Sequence, residues 1–165
     1  MIAPGNRMKM ARTFLLVLSF VGFTFSLGIH LLALSGRVRS SESWYVVPFI
    51  GSFVAFVLAV NLSGAKPGRM GMIPQSKITK SCPPWLKKTN WFLFAYTFLA
   101  VLWIALRNPG VFHWRKVELS PTDGFFIFSA FSMMFYVSSF SMIFGRLFGE
   151  SNQSTPSSDA TQETT

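Results

Sequence analysis

Four side chains carry most of the reactive chemistry this sequence could offer: His30, His113, Asp123 and the lone cysteine, Cys82. His30 stands inside a long apolar stretch, about one turn from its end. An ionisable group in such a place is a functional candidate, because charging it in hydrocarbon is costly. His30, His113 and Asp123 together would supply a metal site or a proton relay. His30 and His113 would alternatively serve as axial ligands to a haem. The competing reading keeps His30 neutral, bonded to a backbone carbonyl or a hydroxyl, with His113 free in a loop. Cys82, followed by Pro83, has no second cysteine for a disulfide or a C-x-x-C pair, so a simple thiol competes with a haem-responsive or redox one. The sequence holds no nucleotide loop, nucleophile elbow, zinc motif or acid pair. No catalytic residue is assigned, and any metal or cofactor site rests on His30, His113 and Asp123.

The elements that must position these residues are apolar. Half of the 165 residues are hydrophobic and only 13% are charged, about half the share usual in a soluble domain. The charges lie in short blocks between four runs: Thr13–Leu34, Trp44–Leu62, Trp91–Leu106 and Gly124–Gly145. None of the four contains Asp, Glu, Lys or Arg. A helix needs about 20 such residues to cross the hydrocarbon layer. Helices are required, since lipid offers backbone N–H and C=O groups no water, and the alternation of a barrel strand is missing. The expected fold is therefore all-α: a polytopic membrane protein with four transmembrane helices, about 13–34, 44–62, 90–107 and 124–145, in an up-down bundle. Run one exceeds the ~7–15 residues of a signal-peptide core and reads as a retained helix. The third run is short, which places its Trp and Asn flanks at the membrane interface.

The net charge is +9. The basic residues flank the apolar runs and form no single stripe, which argues against nucleic acid and for membrane orientation. With four helices, ten Lys and Arg residues share the side that holds both termini: Arg7, Lys9 and Arg12, six between runs two and three, and Arg146. Five lie opposite, in the loops after runs one and three. The positive-inside rule then puts residues 1–12 and the tail 146–165 in the cytosol. That Ser/Thr-rich tail has too little apolar surface to offset its ordering entropy, so disorder is expected. Trp85 and Trp91 would mark the cytosolic interface, and Trp44, Tyr45, Trp103 and Trp114 the outer one. The 63–90 loop carries its six positive charges without an acid and is broken by several prolines. It would either bind anionic lipids or serve orientation alone.

Small and polar residues recur at helical spacing. Ser19, Gly22, Ser26 and His30 share a stripe in run one. Gly51, Ala55 and Ala59 do so in run two, and Ser129, Ser132, Tyr136 and Ser139 in run four. Such stripes let membrane helices approach closely and bond across the contact. A polar pathway through an oligomeric transporter is the alternative reading.

Several short segments resemble small uncharacterised four-helix membrane proteins of bacteria. They are Ser26-Leu27-Gly28-Ile29-His30-Leu31-Leu32, Gly51-Ser52-Phe53-Val54, Cys82-Pro83-Pro84-Trp85-Leu86, Phe128-Ser129-Ala130 and Phe135-Tyr136. The resemblance implies a bacterial inner-membrane location and carries no activity. Members often place further histidines near the starts of helices two and four, where this chain has Phe49 and Asp123. The function expected is that of a non-enzymatic membrane or accessory subunit, alone or as a homo-oligomer or part of a larger complex. A haem- or metal-binding redox subunit and a small oligomeric transporter are the alternatives.

Overall fold

Three of the four apolar runs lie within longer α-helices, and the second run lies in a helix from residue 46 onward. The computed structural model describes residues 4–36, 46–64, 82–108 and 120–149. The expectations for His113, Trp44, Tyr45, Trp114, most of the basic loop and the C-terminal tail lie outside those residues. The helices are α1 (Pro4–Leu34), α2 (Val46–Ser63), α3 (Pro84–Arg107) and α4 (Pro121–Gly149). Each is long and apolar enough to cross a membrane. The chain is an all-α, four-helix membrane protein.

Hydropathy marks what lipid covers, whereas backbone hydrogen bonding continues until a breaker stops it. α3 thus starts at Pro84, well before Asn90, with proline in the first turn, where its missing N–H is no loss. α4 starts at Pro121, ahead of Gly124. Ser120 caps it, its Oγ accepting the Asp123 N–H at 3.2 Å, and an acid in the first turn suits the positive helix end. α1 and α2 end at Gly36 and Gly64, both at φ +66°, the left-handed geometry in which glycine closes a helix.

α4 is the axis of the bundle. It packs on all three other helices; α1 also touches α2, whereas α3 packs closely on α4 alone. Cross-helix bonds fix the directions. Arg12 at the start of α1 meets Leu62 at the end of α2, and His30 near the end of α1 meets Ser129 in the early turns of α4. The polarity is inverted relative to a soluble domain. Among the described residues, nearly all exposed large apolar side chains lie on α1, α2 and α3, with Phe148 alone on α4. Serines dominate the buried polar groups, including Ser19, Ser52, Ser132 and Ser139.

The helix faces follow the stripes with two corrections. On α2, Gly51 is exposed at the edge, and the buried line runs through Ser52, Ala55, Ala59 and Ser63. On α4 burial is not confined to one face. Met133, Val137, Ser138 and Ser141 are buried along with Ser129, Ser132, Tyr136 and Ser139, because neighbours flank α4 on three sides.

Candidate functional site

His30 is delivered by the register of α1. It lies on the stripe of Ser19 and Ser26 that faces the bundle, and only 3% of it is exposed. Its Nδ1 is 2.8 Å from Ser129 Oγ on α4, and its Nε2 is 2.6 Å from the Tyr96 hydroxyl on α3. The ring stacks on Phe126, with centroids 4.7 Å apart, and meets Tyr96 edge-on.

Counting donors assigns the protons. Ser129 has one O–H, and its Oγ lies 2.6 Å from the Phe125 carbonyl oxygen, which can only accept. The Ser129 proton therefore points at Phe125, and His30 Nδ1–H donates to Ser129 Oγ. Nε2 keeps its lone pair and accepts the Tyr96 O–H. The bonds then run in one direction, from Tyr96 through His30 and Ser129 to Phe125, and the arrangement requires no charge. This suits a medium where unpaired polar groups and buried charges are both costly.

Both ring nitrogens of His30 meet hydroxyls. A metal or haem iron at Nε2 would first have to displace Tyr96. Asp123 is not joined to the histidine by any bond among the described residues; it lies on the first turn of α4, about 9 Å along the axis from Ser129. His113 lies outside the described residues. No three His, Cys, Asp or Glu side chains gather among the described residues. The Phe49 ring packs edge-on against Phe128 at 5.1 Å, beside Phe131 and Phe135.

No family model matches the chain, and no curated protein or solved structure matches it.

A second polar centre joins α3 to α4 nearer the termini. Asn90, buried to 1% exposure, donates through Nδ2 to Ser141 Oγ and accepts from Ser138 Oγ at 3.0 Å. Ser141 passes its proton to the Val137 carbonyl at 2.8 Å. The Cys82 thiol, just ahead of α3, donates to the Ser141 carbonyl at 3.0 Å. Burial pushes the Cys82 thiol pKa up, while Lys87 and the backbone at Gly145 pull the other way. Further along, Thr97 Oγ1 donates to the Ala130 carbonyl at 3.2 Å.

Two arginines close the same end of the bundle. Arg12 donates from Nε and Nη2 to the Leu62 carbonyl, and Arg146 Nε donates to the Ser63 carbonyl at 2.7 Å. The last turn of α2 holds no basic residue of its own. Cations from α1 and α4 instead meet its orphan carbonyls and the negative end of its dipole.

Sequence reasoning missed three of these roles. Asn90, expected at the interface, faces α4. Its signal was legible, since Leu86, Asn90, Leu93, Thr97, Ala100 and Ile104 keep helical spacing and are all buried. Tyr96 carried no such mark, as it sits beside that stripe. Arg12 and Arg146 read as orientation charges only.

Proposed function

We propose that this chain is a non-enzymatic membrane subunit, an accessory or self-associating four-helix bundle of a bacterial inner membrane. The carrying observation is the Tyr96–His30–Ser129 chain. His30, deep in a span, uses both ring nitrogens to tie α1 to α3 and α4, which is a positioning role. The outward apolar faces of α1, α2 and α3 support contact with lipid or with further copies. The charge distribution supports cytosolic termini. The basic segment between α2 and α3 supports contact with anionic headgroups, at about 1 kcal/mol per Lys or Arg near the surface.

The test is the full-length chain purified in mild detergent, with its particle mass, metal content and visible spectrum measured. The expected result is a uniform particle holding two or more chains, without a Soret band and without stoichiometric metal. A haem-loaded monomer whose Soret band disappears in His30→Ala would overturn the proposal in favour of a redox subunit.

A further inference from the structure

Three of the charge-free runs stop at one level. The first begins at Thr13, the second ends at Leu62 and the fourth ends at Gly145. Arg12 and Arg146 tie these ends together through the Leu62 and Ser63 carbonyls. Lipid headgroups begin where the hydrocarbon layer ends, so both guanidiniums stand at the depth of lipid phosphates.

Capping α2 does not use up their charge. A helix end carries about half a negative charge, whereas two guanidiniums carry two positive ones. The side of the chain that holds both termini has ten Lys and Arg residues against three acids, Glu150, Asp159 and Glu163. Pairing within the chain therefore leaves most of that charge to anions from outside it. The geometry localises the demand. The two guanidiniums come from different helices and meet consecutive carbonyls, which holds them side by side. Arg12 is half-buried and spends Nε and Nη2 on one oxygen, and its Nη1 makes no bond among the described residues. Arg146 is exposed, and its Nη2 lies 3.4 Å from where a Cβ on Gly64 would stand. A guanidinium fork matches the oxygens of a phosphate, and neighbouring forks fix one phosphate between them. Just inside this level, Phe14 and Leu18 on α1 and Val57 and Leu58 on α2 are exposed and offer apolar surface to acyl chains.

We propose that Arg12 and Arg146 together bind the phosphate of an anionic phospholipid at the end of α2, a site separate from the basic segment between α2 and α3. The acyl chains run along the exposed faces of α1 and α2.

The full-length chain in mild detergent is given equal amounts of phosphatidylglycerol and phosphatidylcholine with the same acyl chains. Native mass spectrometry then counts the lipid it retains. The expected result is one phosphatidylglycerol per chain, favoured about tenfold, as a charge-assisted hydrogen bond would give. Two charge-matched pairs of substitutions locate it. Arg12→Gln with Arg146→Gln should abolish the preference, and Lys77→Gln with Lys80→Gln should leave it, with helix content and elution volume checked in each. Should the first pair misfold, Arg12→Lys with Arg146→Lys keeps both charges, loses both forks and should lower the preference about threefold. Inorganic phosphate in excess should leave the lipid bound, since it brings no acyl chains. Equal loss in the two glutamine pairs would assign the preference to diffuse charge. Release of the lipid by inorganic phosphate would assign the site to free phosphate. Either outcome, or a preference untouched by the arginine substitutions, would overturn the proposal.

Discussion

The Tyr136 ring lies where a side chain at position 22 would begin: a Cβ on Gly22 would overlap Tyr136 Cζ. Gly22 is therefore a steric requirement of the α1–α4 contact, independent of any special backbone angle. Gly22→Ala should force the helices apart and lower stability by about 1–3 kcal/mol, the usual cost of overpacking. Adding Tyr136→Leu should recover part of that loss. Thermal unfolding in detergent of the two single variants and the double variant measures the coupling.

His30 and Tyr96 should also couple. Tyr96→Phe removes one hydrogen bond and leaves Nε2 without a donor, at roughly 0.6–2 kcal/mol, the range for side-chain bonds between membrane helices. His30→Ala should cost more, because it breaks both bonds and opens a cavity beside Phe126. In His30→Ala, adding Tyr96→Phe should cost almost nothing further. A full extra penalty in the double variant would show that the 2.6 Å bond contributes little.

Asn90 is the sole partner of Ser138 Oγ among the described residues. Asn90→Leu removes that partner and should destabilise the α3–α4 contact by about 1–3 kcal/mol. Combining it with Ser138→Ala should be milder than the sum, since no buried group is then left waiting. Steric trapping or SDS-induced unfolding would read the difference.

Cys82 should resist alkylation. It is 6% exposed, and burial raises its thiol pKa, so the reactive thiolate is scarce at neutral pH. Maleimide labelling of the folded chain should be slow at pH 7, quicken as pH rises beyond the ordinary thiol range, and become rapid in SDS. The sign for stability follows. A raised folded value favours the neutral thiol, so its contribution is complete below the unfolded pKa and is lost as pH climbs through the folded one. Cys82→Ser should flatten the alkaline decline.

Ser26 predicts the opposite outcome to Asn90. Its Oγ is fully buried without a partner among the described residues, so Ser26→Ala removes a desolvation penalty and should leave stability unchanged or raise it by up to about 1 kcal/mol. A marked loss in thermal unfolding would reveal a partner for that hydroxyl.

The residue sequence by itself determined the four helices and most of the inward faces. Charge-free runs near twenty residues long leave the backbone no other way to satisfy itself in lipid. Spacing alone put Ser19, Ser26 and His30 on one side of α1. Helix ends were less legible, because hydropathy reports the solvent, whereas the chain stays helical back to Pro84 and Pro121 until a cap or turn stops it. Only the tertiary structure decided that α4 is the axis. A helix with three neighbours is buried on several faces, and a periodicity search for one face recovers only part of that surface. It also decided the fate of the polar groups. Which groups His30 meets depends on which helices pass within 3 Å of its ring. Tyr96 is 66 residues away along the chain and Ser129 is 99, and no local pattern records that meeting.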